Sequence, residues 1–500
     1  MNILELSSAF PYPQGVIPAS IGGTGDKKNI AKTLARHANY LNTKKIYPDV
    51  HPYPPTLSTS STYSAGVSSG YSASFNGQQL YQASTALSSS GSNTLTMDTT
   101  FGILIRPGMA VSHLALDKTN AVPAGTTVVS VTGASHNIVT LSNNLTANVA
   151  SGDFFGFGAS VVNNLGMYPR GNYQYTGQYY YANGSNYAGL QPPFAIEFDH
   201  YGTELNVVFY DNESVGGETP LFWVWIDGQP ATAAPSYPAG YAHAFGNRGN
   251  LVIKFDNAGD NTARWRRIRV YMKGAWVGNI KIAATGQIAA SRTAYPKIMW
   301  LGDSWTEGKI GTGYATSYLS GIAQMATSLL GWGVPYMAGQ GGTGYVNDGG
   351  GGSLAPFGDS NRLGRVPLIN PDVLMIMGST NDNSYSAATI QANAAALYST
   401  LQARVPQTKI LVVGPQSRGV NNDVANSYTN CAAVKAAAQA AGLPFLDMLN
   451  EGWITGAGIY GTTTGVGNGD LFMGADNVHL QQAGCEYVAR RIAAWIADQV

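Results

Sequence analysis

Ser304, in Gly302-Asp303-Ser304-Trp305, follows the apolar run Ile298–Leu301 and precedes a segment leading into a helix. A serine there projects from a strand end, and its own N–H lies near a helix start that favours a developing negative charge. The same position also suits a plain helix N-cap serine. His479 lies in Asp476-Asn477-Val478-His479, just before the final helical stretch. An acid three residues before an imidazole, on one turn, can accept the Nδ1–H bond and leave Nε2 to take a serine proton. The chain has seven histidines, and only His479 lies beyond residue 293, so a base supplied from that region must be this one. Two further strand ends carry groups able to donate to an oxyanion. One is the glycine run Gly339-Gln340-Gly341-Gly342-Thr343-Gly344, the other Gly378-Ser379-Thr380-Asn381-Asp382. Asn381 could equally cap a turn.

The elements that must position these residues are legible in 293–500. KIMWLGDS, VPYMAG, DVLMIMG, KILVVG and LPFLDM are short, nearly continuous apolar runs. Helix-like stretches, Tyr314–Leu330, Ser386–Val405, Ala425–Ala441 and Gln481–Gln499, separate or follow them. This alternation predicts a parallel sheet covered on both faces, with ligands bound outside the carboxyl ends of the strands.

The four blocks, in this order, resemble the SGNH (GDSL-type) hydrolases, a family of esterases and lipases. They are Gly302-Asp303-Ser304, Gly341 within Gly339–Gly344, Asn381-Asp382, and Asp476 with His479. The resemblance covers 297–500. It implies a three-layer, flavodoxin-like α/β domain with a five-stranded parallel sheet. It implies Ser304 as nucleophile, His479 as base and Asp476 as orienting acid. The implied oxyanion hole is the Ser304 and Gly341 N–H groups with the Asn381 side chain, and no cofactor or metal is implied. Three positions depart from the family pattern: Gly339 replaces an asparagine, Ser379 a glycine, and Leu480 a frequent proline.

Rival motifs fail on context. Gly339–Gly344 fits the dinucleotide fingerprint G-x-G-x-x-G, but leads into four more glycines instead of a helix. Gly302 to Ile310 misses P-loop spacing by one residue, and Ile310 cannot hold magnesium. Gly66-Val67-Ser68-Ser69-Gly70 has the G-x-S-x-G pattern in low-complexity sequence with no strand before it. No His, Cys and carboxylate cluster suggests zinc. Cys431 and Cys485, in helical stretches, read as buried thiols.

Upstream the chain reads as three pieces, making the protein multidomain. Residues 1–95 contain a short helical piece, Asp26–Leu41, then a Ser/Thr/Tyr run, and read as an extended arm ordered by a partner chain or a neighbouring domain. Residues 96–160 alternate β-branched and polar residues and read as a small β module, resembling modules of bacteriophage tail proteins. In 161–292, FAIEFDHYG, TELNVVFYD, LFWVWIDGQP, NLVIKFDNAG and RWRRIRVYMKG predict an antiparallel β-sandwich of jelly-roll type. Tyr173, Tyr175, Tyr179, Tyr180, Tyr181 and Tyr187 crowd its leading edge, as a sugar-stacking platform or as simple packing. The loop from Tyr345 to Val366 reads as a mobile wall of the cleft.

Composition narrows the function. Lys plus Arg and Asp plus Glu number 28 each, charged residues are 11% of the chain, and none occurs from Val50 to Met97. That balance excludes a nucleic-acid partner, which needs clustered cations. No run of about 18 apolar residues exists to span a membrane, and the start lacks the features of a secretory signal. The expectation is an esterase removing O-acetyl groups from an acylated polysaccharide, extracellular or virion-associated, with oligomerisation through the N-terminal region. Two alternatives are a virion structural or glycan-adhesion protein with a vestigial esterase domain, and a short-chain lipase.

Overall fold

The computed structural model describes residues 49–500 except 61–70, 75–77, 84–85, 98–104, 115–120, 135, 152–153, 161–162, 166–193, 212–220, 237–247, 274, 284, 292–294, 312, 315–320, 351–353, 365, 416–423, 457, 460 and 462–466. The Asp26–Leu41 piece, the six tyrosines at 173–187 and the Gly66–Gly70 motif therefore lie outside the described residues. Two compact units are present, one spanning Tyr47–Ala294 and the other containing Tyr295–Val500.

In the first unit, two antiparallel sheets share one core. One sheet runs Thr56–Ser60, Arg248–Lys254, Glu204–Asp211, Ala275–Ile282, Tyr71–Ser74; the other runs Gln229–Pro230, Leu221–Ile226, Arg264–Lys273, Phe194–Gly202, Gln287–Ala290. Every second residue points inward: Leu205, Val207 and Phe209 from the first sheet, Phe222, Val224 and Ile226 from the second. A smaller β body follows a separate core that includes Leu95, Val139, Phe155 and Phe157.

The stretch read as an arm is not one piece. Thr56–Ser60 pairs antiparallel with Arg248–Lys254 and Tyr71–Ser74 with Ala275–Ile282, so both close edges of a sandwich sheet. Gln78–Ala83 pairs with Phe154–Ser160 of the small module. An uncharged Ser/Thr/Tyr chain without its own core meets its backbone hydrogen bonds by completing existing sheets. The expected boundary at 95/96 therefore cuts through paired strands.

The second unit holds the predicted parallel sheet. Its strands are β1 (Ile298–Gly302), β2 (Tyr336–Gly339), β3 (Val373–Met377), β4 (Lys409–Val413) and β5 (Phe445–Leu446). The order is β2-β1-β3-β4-β5 and every pair is parallel. β1 and β3 are buried throughout, which is why they read as unbroken apolar runs. A one-turn helix, α1 (Ser304–Glu307), follows β1; α2 (Ile322–Leu330), α3 (Ala387–Arg404), α4 (Val424–Ala440) and α5 (Gln482–Gln499) are the covering helices. α2 packs on α5 and α3 on α4. Right-handed crossovers on the two sides of β1 place these pairs on opposite faces. The strand order reverses between β1 and β3, and the carboxyl ends of β1, β2 and β3 meet there, with Gly302 level with both Gly339 and Met377.

One predicted helix is shorter than its sequence pattern. Tyr314 belongs to a two-residue hairpin with Lys309–Ile310, and α2 begins only at Ile322. Gly311, in the turn of that hairpin, would carry a Cβ 2.2 Å from the Cα of Gly474, so two chain segments cross at a spacing that only glycine permits.

Candidate active site

The turn after β1 presents Ser304. Gly302 passes so close to Thr306 and to the Met377 carbonyl that a Cβ would fall 2.3 Å or less from each. Asp303 then caps α1, its Oδ1 accepting the Trp305 N–H at 3.0 Å, and Gly308 ends the turn in the left-handed conformation. The cap is thus Asp303, and Ser304 is the first helical residue with its hydroxyl available for another partner. That partner is His479, whose Nε2 lies 2.7 Å from Ser304 Oγ.

His479 is held by its own turn. Asp476 Oδ1 accepts the N–H groups of Val478 and His479, each at 3.0 Å, while Oδ2 lies 2.6 Å from Nδ1. Partial burial opposes ionisation of Asp476, but the His479 N–H, the His479 ring and the Val478 N–H outweigh it and hold the carboxyl below the usual range. An ionised Asp476 requires the proton on Nδ1, which leaves Nε2 to accept the Ser304 O–H. Trp305 Nε1 donates to the Val478 carbonyl at 3.2 Å, tying the serine turn to the histidine turn. Across 175 residues of sequence, the structure brings together the Ser304, His479 and Asp476 that the motifs single out.

The donor groups are more engaged than their sequence positions suggest. Gly341 lies beside Ser304, since a Cβ on it would be 3.5 Å from Ser304 Cβ. Its N–H, however, donates to Glu307 Oε2 at 3.0 Å. Asn381 sits in the 3-10 turn after β3, and its Nδ2 donates to the Thr343 carbonyl at 2.9 Å. Ser379, where the family pattern has glycine, adopts φ +96°, the left-handed region that glycine occupies without strain. Its hydroxyl donates to Asp382 Oδ2 at 2.9 Å, which offsets part of that cost.

Three residues to which motif reading assigns no role hold this region. Asp382, fully buried, accepts the N–H groups of Tyr345, Val346 and Asn347 at 2.9, 3.0 and 2.9 Å. It clamps the end of the glycine run onto the Asn381 turn. Arg362, also buried, donates to the carbonyls of Gly302, Ala338 and Ala355 and to Thr343 Oγ1. It stitches the ends of β1 and β2 to the loop, while Phe357 packs fully buried on Tyr345. The described part of the Tyr345–Val366 loop is therefore pinned, contrary to the mobile wall expected from its glycines. Glu307 is the third, and burial pushes its carboxyl up to about 7.

Among the described residues no group of three or more His, Cys, Asp or Glu could hold a metal ion, and no helix is long and apolar enough to cross a membrane. Cys431 and Cys485 are buried free thiols whose burial raises their pKa, the latter to about 12, so neither is a ready thiolate.

None of the curated proteins matches the chain. Solved structures similar to it include a family two carbohydrate esterase from Cellvibrio japonicus, 14% identical, covering 67% of this chain and 94% of that one, TM-score 0.46. Another, a family two carbohydrate esterase from Clostridium thermocellum with cellohexaose, is 18% identical over 67% and 98%, TM-score 0.44. A third, an acetyl xylan esterase from Butyrivibrio proteoclasticus, is 13% identical over 68% and 95%, TM-score 0.43. Residues 300–487, the stretch that carries Ser304, Asp476 and His479, match the model of the GDSL-like lipase/acylhydrolase family.

Proposed function

We propose that the protein is a serine esterase that removes short acyl groups, acetyl foremost, from a polysaccharide. The observation that carries the esterase reading is the hydrogen-bonded chain from Ser304 Oγ through both His479 nitrogens to Asp476, at 2.7 and 2.6 Å. His479 Nε2 takes the Ser304 proton as Oγ attacks the ester carbonyl, and Asp476 stabilises the imidazolium that forms. The tetrahedral oxyanion is received by the Ser304 N–H, the Gly341 N–H and the Asn381 amide. His479 then protonates the leaving alcohol, and water, activated by the same ring, releases the acyl group from Ser304.

The substrate class rests on surface chemistry. Among the described residues of the α/β unit, the large apolar side chains that stand exposed are Tyr385, Tyr428, Leu471 and Val500. That is too little apolar surface for a lipid-facing lid. The chain's low charge favours a neutral glycan over an anionic partner. The resemblance of 96–160 to tail modules favours an extracellular or virion setting. The test is turnover of a short acyl ester by the full chain and by Ser304→Ala, followed by acetate release from an acetylated glycan. Cleavage of long-chain esters in preference to acetyl groups would point to a lipase instead.

A further inference from the structure

Glu307 stands three residues after Ser304 on the one-turn helix α1, so the two side chains leave the same face. Its Oε2 accepts the Gly341 N–H at 3.0 Å. A Cβ on Gly341 would be 2.9 Å from that oxygen and 3.5 Å from Ser304 Cβ, which places the carboxyl within a side chain's breadth of the nucleophile. The Glu307 backbone packs equally closely on Gly339, where a Cβ would meet Glu307 N at 2.3 Å. The carboxyl thus occupies a donor that ester hydrolysis at Ser304 needs.

It is also weakly held for a buried acid. Asp382, a few residues away in the same region, gathers three backbone N–H groups and the Ser379 hydroxyl. Among the described residues Glu307 gathers one, the Gly341 N–H. A buried carboxylate with a single donor is poorly compensated for its lost hydration. We propose that Glu307 is a displaceable occupant of the oxyanion site, holding the Gly341 N–H in the resting protein and yielding it to the carbonyl oxygen of the ester. This rests on the hydrolase reading given above.

The charge state of Glu307 then matters. An ionised carboxylate competes for the N–H and repels the developing oxyanion, whereas a neutral carboxyl is a weaker acceptor and gives way. Burial raises the group to about 7; the Gly341 N–H, Lys309 in the hairpin after α1 and Arg362 oppose that rise, while Asp303 at the end of β1 adds to it. The His479 ring, hydrogen-bonded to Ser304, is a further ionisable group near this face. Both charge states of Glu307 are therefore populated near neutral pH. The sign is opposite to that of the base: His479 must lose its proton to act, whereas Glu307 must keep one to yield.

The experiment compares kcat/KM for a short acetyl ester from pH 6 to 9 in the full-length parent, Glu307→Gln and Glu307→Ala, with fluorophosphonate labelling of each. The parent is expected to lose about 50-fold between pH 7 and 9, as the protonated fraction of Glu307 falls, and Glu307→Gln to stay flat within about twofold over that range. Glu307→Ala, which vacates the donor, should exceed the parent at pH 9; if it fails to fold, the near-isosteric Gln variant decides alone. Superimposable profiles for parent and Gln, or one uniform loss at every pH in both variants, would overturn the proposal and leave Glu307 structural. Labelling at Ser304 in the parent keeps the hydrolase reading separate from that outcome. Its absence would overturn the hydrolase reading and this proposal together.

Discussion

Asp382→Asn tests whether the glycine run and the asparagine turn are one mechanical piece. In the parent, Oδ1 accepts the N–H groups of Val346 and Asn347, and Oδ2 accepts the Tyr345 N–H and the Ser379 hydroxyl. An asparagine keeps one oxygen and turns an NH2 group toward two donors on the other side. A hydrogen bond to a charged group contributes roughly 1.5–3 kcal/mol, and a buried donor left without an acceptor costs roughly 1–3 kcal/mol. Two such lost hydrogen bonds predict destabilisation of the α/β unit by about 3–6 kcal/mol. Because Asn347 Nδ2 also donates to the Asn381 carbonyl at 2.6 Å, a loosened clamp should disturb Asn381 as well. The assay is urea denaturation of the full-length chain, with remaining ester turnover as the reporter of the α/β unit. A midpoint change worth less than about 0.5 kcal/mol, the range of an uninvolved site, would refute the clamp.

Three other expectations follow from the same structure. Asn381→Ala removes one proposed oxyanion donor and should lower kcat by about 100-fold or more, since such donors are worth roughly 2.7–4 kcal/mol of barrier; unchanged steady-state turnover would remove Asn381 from the site. Ser379→Gly trades a left-handed strain of roughly 1–2 kcal/mol against a hydrogen bond worth about 1 kcal/mol, so thermal unfolding should change little. Ser379→Ala keeps the strain and loses the bond, and a Tm equal to that of the Gly variant would contradict this accounting. In the sandwich, His200 is buried with neither ring nitrogen partnered among the described residues, and burial, reinforced by Arg266, lowers its pKa from 6.5 to about 3. The unfolded chain takes up this proton below pH 6.5 and the folded chain does not, so stability is present above pH 6.5 and falls as pH drops toward 3. At pH 5 the loss is about 2 kcal/mol. His200→Leu should flatten the stability of the Tyr47–Ala294 unit over this range, as read by equilibrium unfolding at several pH values; an unchanged slope would refute it.

The sequence carried the α/β unit well because its signals are local. Apolar runs such as Ile298–Leu301 and Val373–Met377 must be buried on both faces, and they are. Asp476 and His479 share a turn, so three-residue spacing sufficed to pair them. What escaped was set by contacts far apart in sequence. Arg362 reaches Gly302 and Ala338, and Asp382 reaches back to Tyr345–Asn347. No spacing rule marks an arginine that donates to distant carbonyls, and a Gly-rich loop looks loose until its anchors are seen. Ser304 itself was ambiguous, because a serine and its preceding aspartate are both good caps; Asp303 takes the cap and leaves the serine for His479. Glu307 shows the converse, since proximity to Ser304 in sequence did not reveal that its carboxyl turns onto the Gly341 N–H. The Ser/Thr/Tyr run misled for a different reason: without charge or large aliphatics it has no core of its own, yet edge strands need only backbone pairing.

The central claim is that Ser304, activated by His479, forms the acyl-enzyme. Its most direct measurement is covalent labelling of the full-length chain by a fluorophosphonate, with the modified peptide located by mass spectrometry. The account predicts one adduct, on Ser304, that is absent in Ser304→Ala and forms far more slowly in His479→Ala. Equal labelling of Ser304→Ala, or an adduct on any other residue of the parent, would contradict it.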